Sequence, residues 1–246
     1  ISLLLIKLFN TNNFNCIGFK VKNRMINLNQ DLVLKYLSRL PKIETSEKPV
    51  FIFLHGVGSN ERDLFSLESF LPENFTVISA RSPYRLGFDS YSFYDIDYSS
   101  GTKVINAEQA EKSRNTLKKF ITQIIEKYKI DSDKVYLGGF SQGAIMSFSV
   151  SLTFPGMVKA ITSFSGSILN EIKPLVNPND EIKKIQVFMS HGIHDNVLPI
   201  NLAREAKDYL FSLGIIPDYN EFNGGHEIPS SIINSFNSWI KKITVK

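Results

Sequence analysis

Five short apolar runs rich in β-branched and aromatic residues lie along the chain at 50–54, 75–80, 134–140, 159–164 and 185–190. Their hydrophobicity is continuous rather than alternating, which predicts strands buried on both faces. Between them the period changes. Over 107–128, Ala110, Leu117, Ile121, Ile124 and Ile125 fall on one face of a helix. Further helices are predicted over 142–153, 202–211 and 229–243, with a last short strand near 218–222. Strands alternating with helices argue for a mostly parallel central sheet with helices on both faces. The segment 31–40 stays open, because Leu32, Val33, Tyr36, Leu37 and Leu40 suit a helix while the alternation also suits a half-buried strand. No repeat, low-complexity tract or flexible linker divides the chain, and the polar stretch 42–48 reads as a surface loop. A chain of 246 residues with 43% hydrophobic content builds one substantial core. A single domain over residues 25–246 is expected.

The formal charge of +4 suggests acidic partners until it is located. Residues 1–24 carry Lys7, Lys20, Lys22 and Arg24 and no acid, leaving 24 basic against 24 acidic residues elsewhere. A balanced body gives no reason to expect nucleic acid as a partner. Cys16 is the one cysteine, read as an incidental thiol, so the chain asks for no oxidising compartment and a cytoplasmic location is expected. The first nine residues are apolar but far short of the ~20 needed to cross a bilayer. They also lack the basic start and small-residue cleavage site of a signal peptide. Met25 stands just before the patterned region, so translation is expected to start there, with 1–24 a disordered or non-native extension. The rival is membrane association through Leu3, Leu4, Leu5, Ile6 and Leu8, although the basic residues are poorly segregated from them.

The strongest chemical signal is Gly139-Phe140-Ser141-Gln142-Gly143, a G-x-S-x-G between a predicted strand and a predicted helix. Chance copies of this pattern are common, but the strand-to-helix context is what a nucleophilic serine requires. The sharp turn projects the hydroxyl, glycines leave room where a Cβ would clash, and the helix N-terminus offers N–H groups to a developing oxyanion. A base must accompany Ser141, and the sequence holds four histidines. His55 ends a strand and reads as bonded to loop backbone, while one of His191 and His194 reads as a turn histidine beside Asp195. His226 follows Gly224-Gly225 late in the chain, on a loop able to reach back over the sheet, and is the candidate base. Asp195, shortly after a predicted strand and before Val197 and Pro199, is the candidate for orienting it. Asp180, Asp218 and Glu227 read as solvated acids. The oxyanion donors are expected to be the Val57 and Gln142 amides, with Gly56 and Gly58 allowing close approach. No phosphate-loop pattern and no metal-ligand spacing is present, so neither nucleotide nor metal is expected.

These residues resemble the phospholipase/carboxylesterase family of α/β-hydrolases, which includes acyl-protein thioesterases and small bacterial esterases. The resemblance is carried by the segments 54–64, 139–144, 191–199 and 224–226, and it runs from about residue 32 to the C-terminus. Ser92-Phe93-Tyr94-Asp95 is similar to the family's aromatic-aromatic-Asp loop, with Phe93 where a Trp is usual. The resemblance implies a single-domain α/β-hydrolase, the triad Ser141, Asp195 and His226, the donors Val57 and Gln142, no cofactor, and small or medium acyl esters, lysophospholipids or acylated thiols as substrates. Many members dimerise, so a homodimer is an expected assembly.

The function read from the sequence is therefore a serine carboxylic-ester or thioester hydrolase working through an acyl-enzyme. Leu86, Phe93, Val197 and Leu198, with Phe88 and Tyr91, are candidates for lining an acyl pocket, against the alternative of ordinary packing. Rival readings are an acyltransferase or amidase/peptidase on the same triad, and a non-catalytic binding protein of the same fold.

Overall fold

The computed structural model describes residues 27–97, 99, 101 and 103–244. Residues 1–24, expected to be an extension, lie outside the described residues.

The predicted runs form β2 (Val50–Leu54), β3 (Thr76–Ala80), β8 (Val135–Phe140), β9 (Ala160–Phe164), β10 (Gln186–Gly192) and β11 (Asp218–Phe222). They join β1 (Tyr36–Arg39) in a seven-stranded sheet of order β1-β3-β2-β8-β9-β10-β11. Within the open segment 31–40, Tyr36–Arg39 resolves as a strand antiparallel to β3, while every other neighbouring pair in the sheet is parallel. Two small antiparallel pairs not foreseen in the sequence follow β3: β4 (Tyr84–Gly87) with β5 (Ser90–Ser92), and β6 (Ile96–Asp97) with β7 (Val104–Ile105).

Strand alternation divides the core in two. Val50, Ile52 and Leu54 of β2 pack with Leu117, Phe120 and Ile124 of α2 (Ala107–Tyr128), Met146 and Val150 of α3 (Gln142–Thr153) and Leu210 of α5 (Ile200–Ser212). Phe51 and Phe53 face the opposite way. They pack with Leu64 of α1 (Arg62–Phe65) and with Phe236, Trp239 and Ile240 of α6 (Ser230–Thr244). A short α4 (Asp180–Lys183) precedes β10. Helices therefore cover both faces, as the unbroken hydrophobic runs require.

The helix on which the site depends is α3, buried at every residue from Gln142 to Leu152. Two of its buried hydroxyls are satisfied within the helix, Ser147 and Ser149 donating to the carbonyls of Gly143 and Ile145, both at 2.9 Å. Helix α2 begins where the Asn106 side chain accepts from the Gln109 amide and ends at Lys129 in the left-handed conformation.

Candidate active site

Ser141 stands between β8 and α3 with φ 53° and ψ −118°, a backbone conformation that costs a residue with a side chain ~1–3 kcal/mol. The surroundings hold it there. The Ser141 amide donates to Phe164 O at 2.9 Å, and the Ile145 amide donates back to Ser141 O at 3.0 Å. The flanking glycines have distinct causes: a Cβ on Gly139 would lie 2.4 Å from the Gly143 carbonyl carbon, and one on Gly143 would lie 1.9 Å from Leu54 O. Both are needed so that α3 can start directly against the ends of β8 and β2.

Asp195 follows β10 by one turn, and His226 follows β11. Because β10 and β11 are neighbours in register, with Gly192 opposite Phe222, the two loops leave the sheet side by side. The Asp195 carboxylate accepts from His226 Nδ1 at 2.6 Å through Oδ2, and from the amides of Val197 and Leu198, both at 2.8 Å, through Oδ1. Burial pushes its pKa up, but the contacts with His191, His226 and the Leu198 amide outweigh this and hold the carboxyl well below the usual aspartate range. A carboxylate can only accept, so the His226 proton sits on Nδ1, leaving Nε2 with a lone pair. The His226 ring packs on Phe140, the residue before Ser141, with centroids 4.8 Å apart. Ser141, Asp195 and His226 thus gather at the carboxyl edge of the sheet.

Beside Ser141 lies the turn after β2. A Cβ on Gly56 would sit 3.5 Å from the Ser141 Cβ, and Val57 is exposed. Among the described residues the Val57 amide has no acceptor, whereas the Gly58 amide donates to Tyr91 O at 2.9 Å. The Gln142 amide is the first of α3, where intrahelical acceptors are lacking. An arrangement of this kind offers two N–H groups to a developing negative oxygen next to a serine hydroxyl.

The other histidines stand apart. His55 is fully buried, donating through Nδ1 to Gly56 O at 2.8 Å and accepting at Nε2 from the Ser82 amide at 3.1 Å; burial lowers its pKa to about 4. Exposed His194 contacts Asn223 Oδ1 at 3.0 Å. His191 is no turn histidine: it lies in β10, buried, with Nε2 at 3.2 Å from Asp195 Oδ2. Asp180 pairs with Lys183, Asp218 receives Asn220 Nδ2, and Glu227 approaches the Gly225 amide at 3.4 Å.

Of the residues expected to line a pocket, Leu86 and Val197 are about half exposed, while Phe93 and Leu198 are buried. Phe93 packs on the His55 ring at 5.8 Å between centroids. Its loop is pinned by a side chain whose second contribution the sequence did not reveal: Gln142 accepts from the Phe93 amide and donates to Tyr94 O, both at 2.7 Å. A second unforeseen device fixes the β4–β5 hairpin, which carries exposed Leu86 and Phe88, to the turn after β2. Fully buried Glu61 takes Arg81 through two hydrogen bonds of 2.6 and 2.8 Å, and Arg81 in turn donates to Tyr91 Oη at 2.9 Å. Glu61 stood within the sequence segment 54–64, but nothing local to it named Arg81.

The sequence matches the family model described as Phospholipase/Carboxylesterase over residues 40–244. It is 25% identical over 226 residues to an acyl-protein thioesterase 1 of Candida albicans, a match covering 85% of this chain and 97% of that protein. An acyl-protein thioesterase 1 of Saccharomyces cerevisiae is 27% identical over 186 residues, covering 68% and 79%. Among solved structures, the Bacillus cereus carboxylesterase superposes with a TM-score of 0.75 at 21% identity, covering 86% of this chain and 95% of that one, which shows a shared fold.

Proposed function

Because the chain belongs to the phospholipase/carboxylesterase family and is a serine ester hydrolase, we propose that it cleaves small acyl esters and acyl thioesters through an acyl-enzyme on Ser141. The observation that carries this reading is the buried Asp195 carboxylate bonded to His226 Nδ1 at 2.6 Å, beside a serine at a strained helix N-terminus. His226 Nε2 takes the hydroxyl proton as Ser141 Oγ bonds to the acyl carbonyl carbon. The carbonyl π electrons move to oxygen, which the Val57 and Gln142 amides stabilise. The intermediate collapses, the bond to the leaving oxygen or sulfur breaks, and His226 returns the proton to that group. Water, deprotonated by His226, then releases the acid and restores Ser141. Asp195 keeps the imidazole in the tautomer this sequence needs.

The reading extends to a single catalytic domain over residues 25–246 that resides in the cytoplasm. Among the described residues no helix is long and apolar enough to cross a membrane.

Reaction of the protein with a fluorophosphonate probe, followed by peptide mass spectrometry, tests the assignment. Wild type is expected to carry the adduct on Ser141 and to hydrolyse p-nitrophenyl esters and an acyl thioester; Ser141→Ala should do neither. A folded wild-type protein that neither labels nor turns over would favour a non-catalytic binder. Asp195→Asn should lower turnover by ~10⁴, the scale measured for the equivalent change in a serine protease.

A further inference from the structure

His191 has no role in the steps above, yet its side chain is almost entirely buried against the residue that orients the base. Its Nε2 lies 2.7 Å from Leu198 O and 3.2 Å from Asp195 Oδ2, the same oxygen that accepts from His226. A carbonyl only accepts, so the His191 proton sits on Nε2, and the same nitrogen stands beside the carboxylate. The other nitrogen, Nδ1, is buried without a hydrogen-bond partner. An apolar ring would fill the space without stranding a polar atom, so the Nε2 contacts are what the imidazole adds.

We infer that His191 is a positioning residue that ties the Asp195 carboxylate to the Leu198 carbonyl, so that Oδ2 meets His226 from one fixed direction. This rests on the reading of Asp195 and His226 given above. The 195–198 loop then becomes a closed unit: Oδ1 is held by the Val197 and Leu198 amides, and Oδ2 by the two imidazoles from β10 and from the loop after β11. Other charged groups nearby are engaged elsewhere. Glu221, opposite His191 in the β10–β11 register, is taken by Arg204 and Tyr219, and His194 turns to Asn223. The lowered pKa of Asp195, to which the His191 contact contributes, agrees with the nearness of Nε2 to the carboxylate.

The test uses the full chain with His191→Phe, His191→Gln, Asp195→Asn and the double variant His191→Phe/Asp195→Asn. Loss of the N–H leaves more negative charge on Oδ2, which holds a His226 imidazolium more firmly. The acid limb of kcat/KM should therefore move to higher pH. In His191→Phe, kcat is expected to fall about 10- to 100-fold, the scale of a misplaced catalytic group, with KM changing less than about twofold. His191→Gln places an amide N–H near the Nε2 position and should restore most of kcat and the pH limb. In the Asp195→Asn background, His191→Phe should add little further loss. Wild-type kcat and pH limb in folded His191→Phe would overturn the inference, as would equal losses in the Phe and Gln variants that add fully to Asp195→Asn. Should His191→Phe fail to fold, His191→Gln is compared with His191→Asn, whose amide reaches only the Nδ1 position. Gln well above Asn supports the inference, and equal activity refutes it. Failure of the triad reading has a separate signature, full turnover in Asp195→Asn alone.

Discussion

Replacing Gly143 by Ala adds one methyl group, and the structure places it where no adjustment of side chains can help. The new Cβ would lie 1.9 Å from Leu54 O, 2.4 Å from Leu54 C and 2.7 Å from His55 O, all backbone atoms. To bring a 1.9 Å contact back to the 3.0 Å below which real Cβ atoms are essentially never found, the first turn of α3 must retreat by about 1.1 Å. Retreat is opposed on the other side. A Cβ added at Gly166 would lie 2.5 Å from the Ala144 Cβ, so the Gly166 backbone packs closely on α3, and α3 is buried from Gln142 to Leu152. Overpacking of this kind costs about 1–3 kcal/mol, and a backbone-limited clash belongs at the upper end. For a domain of this size that lowers Tm by about 6–12 °C. The same retreat carries Ser141 and the Gln142 amide away from the Val57 amide, and a displacement of about 1 Å costs about 10²-fold in kcat/KM. Gly87→Ala is the matched control, because nothing lies within 4 Å of its added Cβ. Differential scanning calorimetry and p-nitrophenyl ester hydrolysis read both effects. Wild-type melting and turnover in Gly143→Ala would refute the claim that α3 is held by backbone contact with β2.

Glu61→Gln keeps the shape of the clasp but loses one charge-assisted hydrogen bond to Arg81, a loss of about 2–3 kcal/mol that should lower Tm by about 4–12 °C. Burial raises the Glu61 pKa, but the Arg81 hydrogen bonds prevail and hold it below the usual 4.5. Its stabilisation is therefore complete above 4.5 and lost as pH falls through the depressed value, so the Tm gap between wild type and variant should close on acidification; a constant gap would show that the charge plays no part. Ser141→Gly should melt above Ser141→Ala, since only glycine adopts φ 53° and ψ −118° without strain. Relief of ~1–3 kcal/mol exceeds the 0.5–1 kcal/mol that glycine loses through chain entropy, and equal melting temperatures would show that the turn stores no strain.

The elements legible in the sequence are those whose neighbours are local or whose burial is complete. Helix α2 is legible over 107–128 because its apolar stripe from Ala110 to Ile125 is a local pattern, and the structure adds an Asn106 side-chain cap at its start. The five central strands were readable because parallel strands covered on both faces leave unbroken apolar runs. β1 was ambiguous because it is an antiparallel edge strand, and its identity rests on β3, some forty residues away in sequence. The β4–β5 hairpin left little trace because Tyr84, Arg85, Leu86 and Gly87 are mostly exposed and the hairpin is held by Glu61 and Arg81. Within the site, Ser141, Asp195 and His226 stood out because each follows a strand and belongs to a residue type the chemistry demands. Gln142 and His191 carried no such mark. Gln142 was named for its amide alone, and the partners of its side chain come from a loop 48 and 49 residues earlier.

The proposed site draws its precision from sheet register rather than from the loops that carry it. Leu54 pairs with Gly139, Phe140 with Phe164, Ser190 with Phe164 and Gly192 with Phe222, so the strands bearing Val57, Ser141, Asp195 and His226 end in one layer. Beyond β10 and β11 the backbone keeps that alignment, the Ile193 and His194 amides donating to Phe222 O and Gly224 O at 3.0 Å each. A Cβ on Gly192 would fall 2.2 Å from Gly225 O, so the two turns are already in backbone contact. A slip of one residue between β10 and β11 would move His226 by about 3.3 Å and turn alternate side chains to the opposite face. Neither the 2.6 Å bond from His226 to Asp195 nor the contact from His191 would survive it. Orientation of the base is thus a property of two parallel strands, which is why Asp195 and His226, 31 positions apart in the chain, meet within hydrogen-bond distance.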